Sequence, residues 1–204
     1  MKKHLWWIVL VVIIVVFGSF AYFHKAGGTP TKEEAQTALS ELNSGQAPWP
    51  AEIEHLKARL TAINLPALAE EGTVLHIHQH LDIFVHGQSV AVPSGIGINE
   101  TAGFISPIHV HDTTGIIHVE SPTVLKFTFG EFFDIWGVKL TDTCMGGYCT
   151  DATNQLTFYV NGTKYVGDPR ALELTAHEEI VAVYGTASET PATLPTSFTF
   201  PAGY

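Results

Sequence analysis

The chain has 204 residues, 46% hydrophobic and 15% charged, a composition that fits one folded domain of ordinary size and argues against disorder. Its 10 Lys plus Arg against 20 Asp plus Glu give a formal charge of -10, and no basic run follows a phosphate backbone, so no nucleic-acid partner is expected. Two cysteines are too few for a disulfide scaffold or a zinc ribbon, which leaves the interior to apolar packing.

Residues 5–23, LWWIVLVVIIVVFGSFAYF, form a nearly unbroken apolar run that would be about 28 Å long as a helix, enough to cross a bilayer. Lys2, Lys3 and His4 precede it, and a basic flank stays on the cytoplasmic side. The expectation is a single-pass anchor in the cell membrane, with its N-terminus cytoplasmic and everything after Phe23 extracytoplasmic. A cleaved signal peptide is the alternative, but no small-x-small cleavage site follows the run. The bilayer, through residues 5–23, is the partner this segment implies; no sequence feature identifies a protein partner.

A linker, AGGTPT, leads to two short helical patterns. Thr31 and Glu34 fit a capping box ahead of Ala35, Ala38, Leu39 and Leu42. After Pro48 and Pro50, the residues Ile53, Leu56, Leu60 and Ile63 mark one face of a second helix. From residue 73 the period becomes two. Leu75, Ile77, Leu81, Ile83 and Val85 fall on one face of a strand, and His76, His78, His80, Asp82 and His86 on the other. His86 and Gly87 open a turn into residues 89–92, and residues 93–97 form a loop.

Residues 108–120, IHVHDTTGIIHVE, read as a hairpin turning over residues 112–115. Residues 123–129 suggest a further strand, and residues 130–138 a short helix that buries Phe132, Phe133 and Trp136 and stops at Gly137 in a left-handed cap. Asn161-Gly162 is the strongest hairpin signal in the chain, residues 180–184 supply a last strand, and the Thr- and Pro-rich tail lies extended over the surface.

The expected architecture is α+β. An N-terminal transmembrane helix (1–25) precedes a linker with two short helices (26–72). A β-rich, mainly antiparallel domain (73–186), β-grasp-like in its element order, precedes the tail (187–204).

Histidine carries the chemical signal: His76, His78, His80, His86, His109, His111 and His118 all lie within one short stretch of a chain with 11 histidines. Alternate residues of a strand share a face, so His76 with His78, and His109 with His111, can each turn two imidazole nitrogens towards one point. A hairpin turning at Thr113 and Thr114 sets His109 opposite His118, with Cβ atoms about 4.5 to 5.5 Å apart. Asp112 or Glu120 could then orient a ring as an outer acceptor.

The candidate metal ligands are therefore His76, His78, His109, His111 and His118, and imidazole donors outside the cytoplasm suit a transition-metal ion, copper or zinc. His86 and His177 are expected to be ordinary surface histidines, and His80 stands between the two cases. No catalytic residue is assigned, and a non-enzymatic role such as metal handling is preferred. The alternatives are a non-catalytic interaction module of a membrane assembly and a metal-dependent hydrolase. A proton sensor built from clustered imidazoles is a further non-metal account.

Cys144 and Cys149, five positions apart and outside the cytoplasm, are expected to form a disulfide. A soft-metal thiolate pair with Met145 and a redox-active dithiol are the alternatives. Asn99 and Asn161 head glycosylation sequons.

The strings HIHQHLDIFVHG, SPIHVHDTTGIIHVESP, FGEFFDIWGV and the cysteine pair before FYVNG resemble an uncharacterised group of exported, membrane-anchored bacterial domains, over roughly residues 73–186. That resemblance implies an exported domain and carries no activity or ligand set. His109-Val-His111 also invites comparison with copper-zinc superoxide dismutase, but the rest of that family's ligand pattern is missing.

Overall fold

The computed structural model describes residues 28–204. The expected membrane anchor at residues 5–23 lies outside the described residues, among which no helix is long and apolar enough to cross a membrane. Residues 32–204 form one compact α+β unit, built on a mainly antiparallel sheet with a few short helices.

Helices α1 (Lys32–Ser40) and α2 (Leu56–Ala62) come first, burying Ala35 and Ala38 and then Leu56 and Leu60. The main sheet begins with β1 (Leu75–Val85), whose hairpin partner is β2 (Gln88–Val90). His86 and Gly87 between them take φ of 49° and 74°, the left-handed pair that a tight two-residue hairpin demands. The short ribbon β3 (Ile98–Asn99) and β4 (Phe104–Ile105) stands apart from this sheet. Then β5 (Ile108–His109) and β6 (Ile116–Ser121) form the expected hairpin, with His109 opposite His118.

Helix α3 (Phe129–Trp136) is closed at its N-terminus by a capping box of Thr128 and Glu131 and at its C-terminus by Gly137 at φ 84°. Strands β7 (Cys144–Met145) and β8 (Tyr148–Cys149) follow, joined by the Cys144–Cys149 disulfide. The chain ends its regular structure with β9 (Gln155–Val160), β10 (Thr163–Lys164) and β11 (Glu179–Gly185), β9 and β10 turning at Asn161 and Gly162 as expected.

The strand order is β10-β9-β11-β1-β6-β5, and every pair is antiparallel except β1 with β11. β1 is long enough to pair with β6 through residues 75–80 and with β2 through residues 83–85 along the same edge. One sheet face packs Leu81, Ile83, Val85, Ile117, Val119, Ile180 and Ala182 against Phe129, Phe132, Phe133 and Trp136 of α3. Each of these aromatic side chains contributes about 2 to 3 kcal/mol through burial. The other face is left to the histidines.

Residues 123–129 do not form the expected strand. Only residues 127–129 are paired, to residues 172–174, while Val124 and Leu125 are 74% and 54% exposed. The apolar alternation is real only at Phe127 and Phe129, which enter the core, and no neighbouring strand runs beside the first half of the segment.

A candidate metal centre on the histidine face

Three adjacent strands place the site. The register sets His78 of β1 opposite His118 of β6, and His118 opposite His109 of β5, so three imidazoles form a row across the sheet. Two positions along, His76 lies opposite Glu120. His111 follows His109 beyond the end of β5, its ring 4.7 Å from that of His109 and 4.6 Å from that of His118. All five expected ligands therefore come together on one face. The turn that allows this holds Gly115 at φ 87°, where a Cβ would lie 2.7 Å from the Leu81 carbonyl oxygen, so a side chain there would push β1 away.

The donor atoms fall into two sets. One atom each of His109, His111, His118 and Glu120 lie within 4.8 Å of one another, as do those of His76, His78 and Glu120. Within each His-x-His pair the Nε2 atoms are closer still, 3.2 Å for His76 and His78 and 3.1 Å for His109 and His111. Two nitrogens on one tetrahedral ion at about 2.0 to 2.1 Å stand roughly 3.3 to 3.4 Å apart, so both pairs are nearly at chelating distance. These histidine and acidic clusters could hold a metal ion.

The surrounding groups fix the rings. His109 is fully buried, and its Nδ1–H donates to the Ser106 carbonyl at 3.0 Å, which leaves the Nε2 lone pair facing His111. His118 Nδ1 donates to Glu120 Oε1 at 3.1 Å. Glu120 is thus the orienting acceptor that the sequence suggested. Asp112, the other candidate, is not: its carboxylate accepts from the Thr114 backbone N–H at 2.8 Å and from the Thr114 hydroxyl, because a turn needs such a bond more than a distant ring does.

Burial pushes the His109 imidazole down to about 3, with the facing His111 and His118 acting in the same direction. Burial, then the neighbouring His118 and His76, takes His78 down to about 4. For Glu120 burial acts upward, but the hydrogen bond from His118 and the facing imidazoles outweigh it and hold the carboxyl at about 2. At neutral pH two of the imidazoles are therefore neutral and the carboxylate is ionised, the states a cation requires.

His80 faces the same side but does something else. Its Nε2 is 2.8 Å from the Thr114 carbonyl oxygen and its Nδ1 2.8 Å from Glu179 Oε2. Both neighbours are acceptors, so the ring and Glu179 must share an extra proton. Burial opposes the charged ring, but the Glu179 hydrogen bond and charge outweigh it and raise its pKa. With both nitrogens engaged His80 has no lone pair to offer, although His80, Asp82 and Glu179 lie close together. His86 pairs with Glu189 at 3.0 Å and His177 with the Tyr204 carbonyl oxygen at 3.0 Å.

Two features escaped sequence reasoning. Glu71 Oε1 lies 3.3 Å from His111 Nε2 and 4.0 Å from His109 Nε2. It precedes Gly72, where a Cβ would overlap the Ser121 backbone, so the glycine lets the chain pass close enough for Glu71 to reach the site. The tail also covers the histidine face: the Tyr204 ring lies 4.4 Å from that of His78 and 5.3 Å from that of His118, and Phe198 stacks on His80 at 3.8 Å. The aromatic residues of the tail were the available signal.

The chain matches no protein-family model, no curated protein and no solved structure.

Proposed function

We propose that this protein is a membrane-anchored, extracytoplasmic domain that binds a transition-metal ion, copper or zinc, through His76, His78, His109, His111 and His118, in metal handling. The observation that carries this reading is the pair of Nε2–Nε2 separations, 3.2 and 3.1 Å, on the two sides of β6, with His118 between them. Imidazole donors without thiolate suit zinc and copper, since the only two cysteines form a disulfide. That disulfide also supports a place outside the reducing cytoplasm, and the apolar run at residues 5–23 supports an anchor. The central parallel pair of β1 and β11, flanked by antiparallel strands with α3 packed on one face, supports the β-grasp-like description of the domain.

The test is metal content. The full chain, purified in mild detergent without a histidine tag, is compared with a variant carrying His109→Ala, His111→Ala and His118→Ala. Stoichiometric copper or zinc in the unaltered chain, lost in the variant, is expected. Equal and negligible metal in both would turn the reading towards an interaction module.

A further inference from the structure

The two donor sets are too rich for one ion. Five imidazoles and two carboxylates, Glu71 and Glu120, converge on the histidine face, whereas zinc and copper in imidazole sites take about four or five donors. The sets are also separated by the sheet itself. His76 and His78 stand on β1 and His109 on β5, with β6 between them. Neighbouring strands are about 4.7 to 4.9 Å apart, so the backbones carrying the two pairs are separated by nearly 10 Å. Each pair closes to chelating distance on its own side, and the middle strand contributes His118 and Glu120.

Glu120 belongs to both sets. Its Oε1 is 3.2 Å from His76 Nε2, 4.0 Å from His78 Nε2 and 3.1 Å from His118 Nδ1, and the residue is only 5% exposed. A buried carboxylate facing two groups of imidazole donors is the group that lets two cations approach to about 3.5 to 4 Å, because it offsets their repulsion. Glu71 supplies a second negative charge on the His109 and His111 side.

Resting on the metal-binding reading above, the geometry points to a two-ion centre. One divalent transition-metal ion is held by His76 and His78, the other by His109, His111 and His118, and Glu120 is the carboxylate common to both. Glu71 completes the second position.

The full chain, in detergent and without a histidine tag, is loaded with copper(II), washed free of loosely held metal, and measured by metal analysis and electron paramagnetic resonance. Two equivalents are expected, with a half-field line and an intensity below that of two independent spins. His76→Ala should bind one equivalent with an isolated-copper spectrum. Glu120→Gln should abolish the half-field line. The side chains of His76 and His111 are 51% and 42% exposed, so replacing either leaves the fold intact, as circular dichroism would confirm.

Two equivalents with full independent intensity overturn the shared carboxylate, and two equivalents retained by His76→Ala overturn the assignment of an ion to His76 and His78. A single equivalent in the unaltered chain overturns the two-ion centre, whether it is lost only with His111→Ala or with His76→Ala as well, and leaves the one-ion reading standing. Binding of no copper overturns both.

Discussion

Ligand and structural roles separate most cleanly at His109 and His111, which share one chelating pair but differ in burial. His109 is fully buried and donates to the Ser106 carbonyl at 3.0 Å, whereas the His111 side chain is 42% exposed. Truncating His109 to alanine removes a packed ring and leaves an acceptor without its donor. A cavity of that kind costs about 2 to 4 kcal/mol, and an orphaned buried acceptor about 1 to 3, partly the same loss counted twice. We expect about 3 kcal/mol in total for His109→Ala in metal-free protein. His111→Ala, on the surface, should cost no more than about 0.5 kcal/mol. At an m-value of about 2 kcal/mol/M in urea, the midpoint moves down by roughly 1.5 M for the first variant and hardly for the second. Urea denaturation followed by Trp fluorescence in the presence of chelator measures this. With metal supplied instead, both variants should keep only the part of the ligand-induced rise in midpoint that an ion at His76 and His78 supplies. Equal destabilisation of the two metal-free variants would refute the reasoning, since it would mean that the difference in burial does not govern the site.

Further outcomes concern pH, the tail and the disulfide. In metal-free protein His109 stays neutral down to about pH 3, while in the unfolded chain it takes up a proton below about 6.5, so the unfolded state binds more protons and stability falls as pH drops through that range. At pH 5.5 His109 alone costs about 1 kcal/mol, with His78 and Glu120, both depressed, acting in the same direction and His80 and Glu179, both raised, in the opposite one. A stability gap between the unaltered chain and His109→Gln that does not narrow from pH 7 to 5.5 would contradict the His109 contribution. Tyr204→Ala removes a ring 4.4 Å from that of His78, and the loss of a contact worth about 1 kcal/mol should speed removal of bound metal by a chelator about five-fold; an unchanged rate would show that the tail does not cover the site. Replacing both Cys144 and Cys149 by serine opens a loop of sequence separation 5 and should cost about 2 kcal/mol by loop entropy, with metal stoichiometry unchanged. Loss of metal in that variant would tie the disulfide to the site.

Local chemistry was legible in the sequence wherever a short-range rule fixes the backbone. Alternation of period two put His76 and His78 on one face of β1 because successive strand side chains point to opposite sides. The turn over residues 112–115 set His109 opposite His118, since a hairpin of given turn has only one register. Gly137 and Asn161-Gly162 marked a helix end and a hairpin because few other residues accept a positive φ. Residues 123–129 depart from this pattern, an apolar run that forms no strand because no neighbouring edge runs beside its first half, which propensity does not encode.

Tertiary structure alone decided what these local pieces meet. That β6 lies between β1 and β5, so that His78, His118 and His109 form one row, depends on the order of strands in the sheet, and no local rule encodes that order. The parallel pairing of β1 with β11, across almost a hundred positions, set His80 against Glu179 and withdrew it from the ligand set. Glu71 and the aromatic tail reach the histidines only through the close packing at Gly72 and across the sheet face. The physical reason is common to all three: side-chain direction follows from neighbouring dihedral angles, whereas long-range partners follow from how the apolar face of the whole sheet is buried on α3, which leaves the opposite face for the histidines.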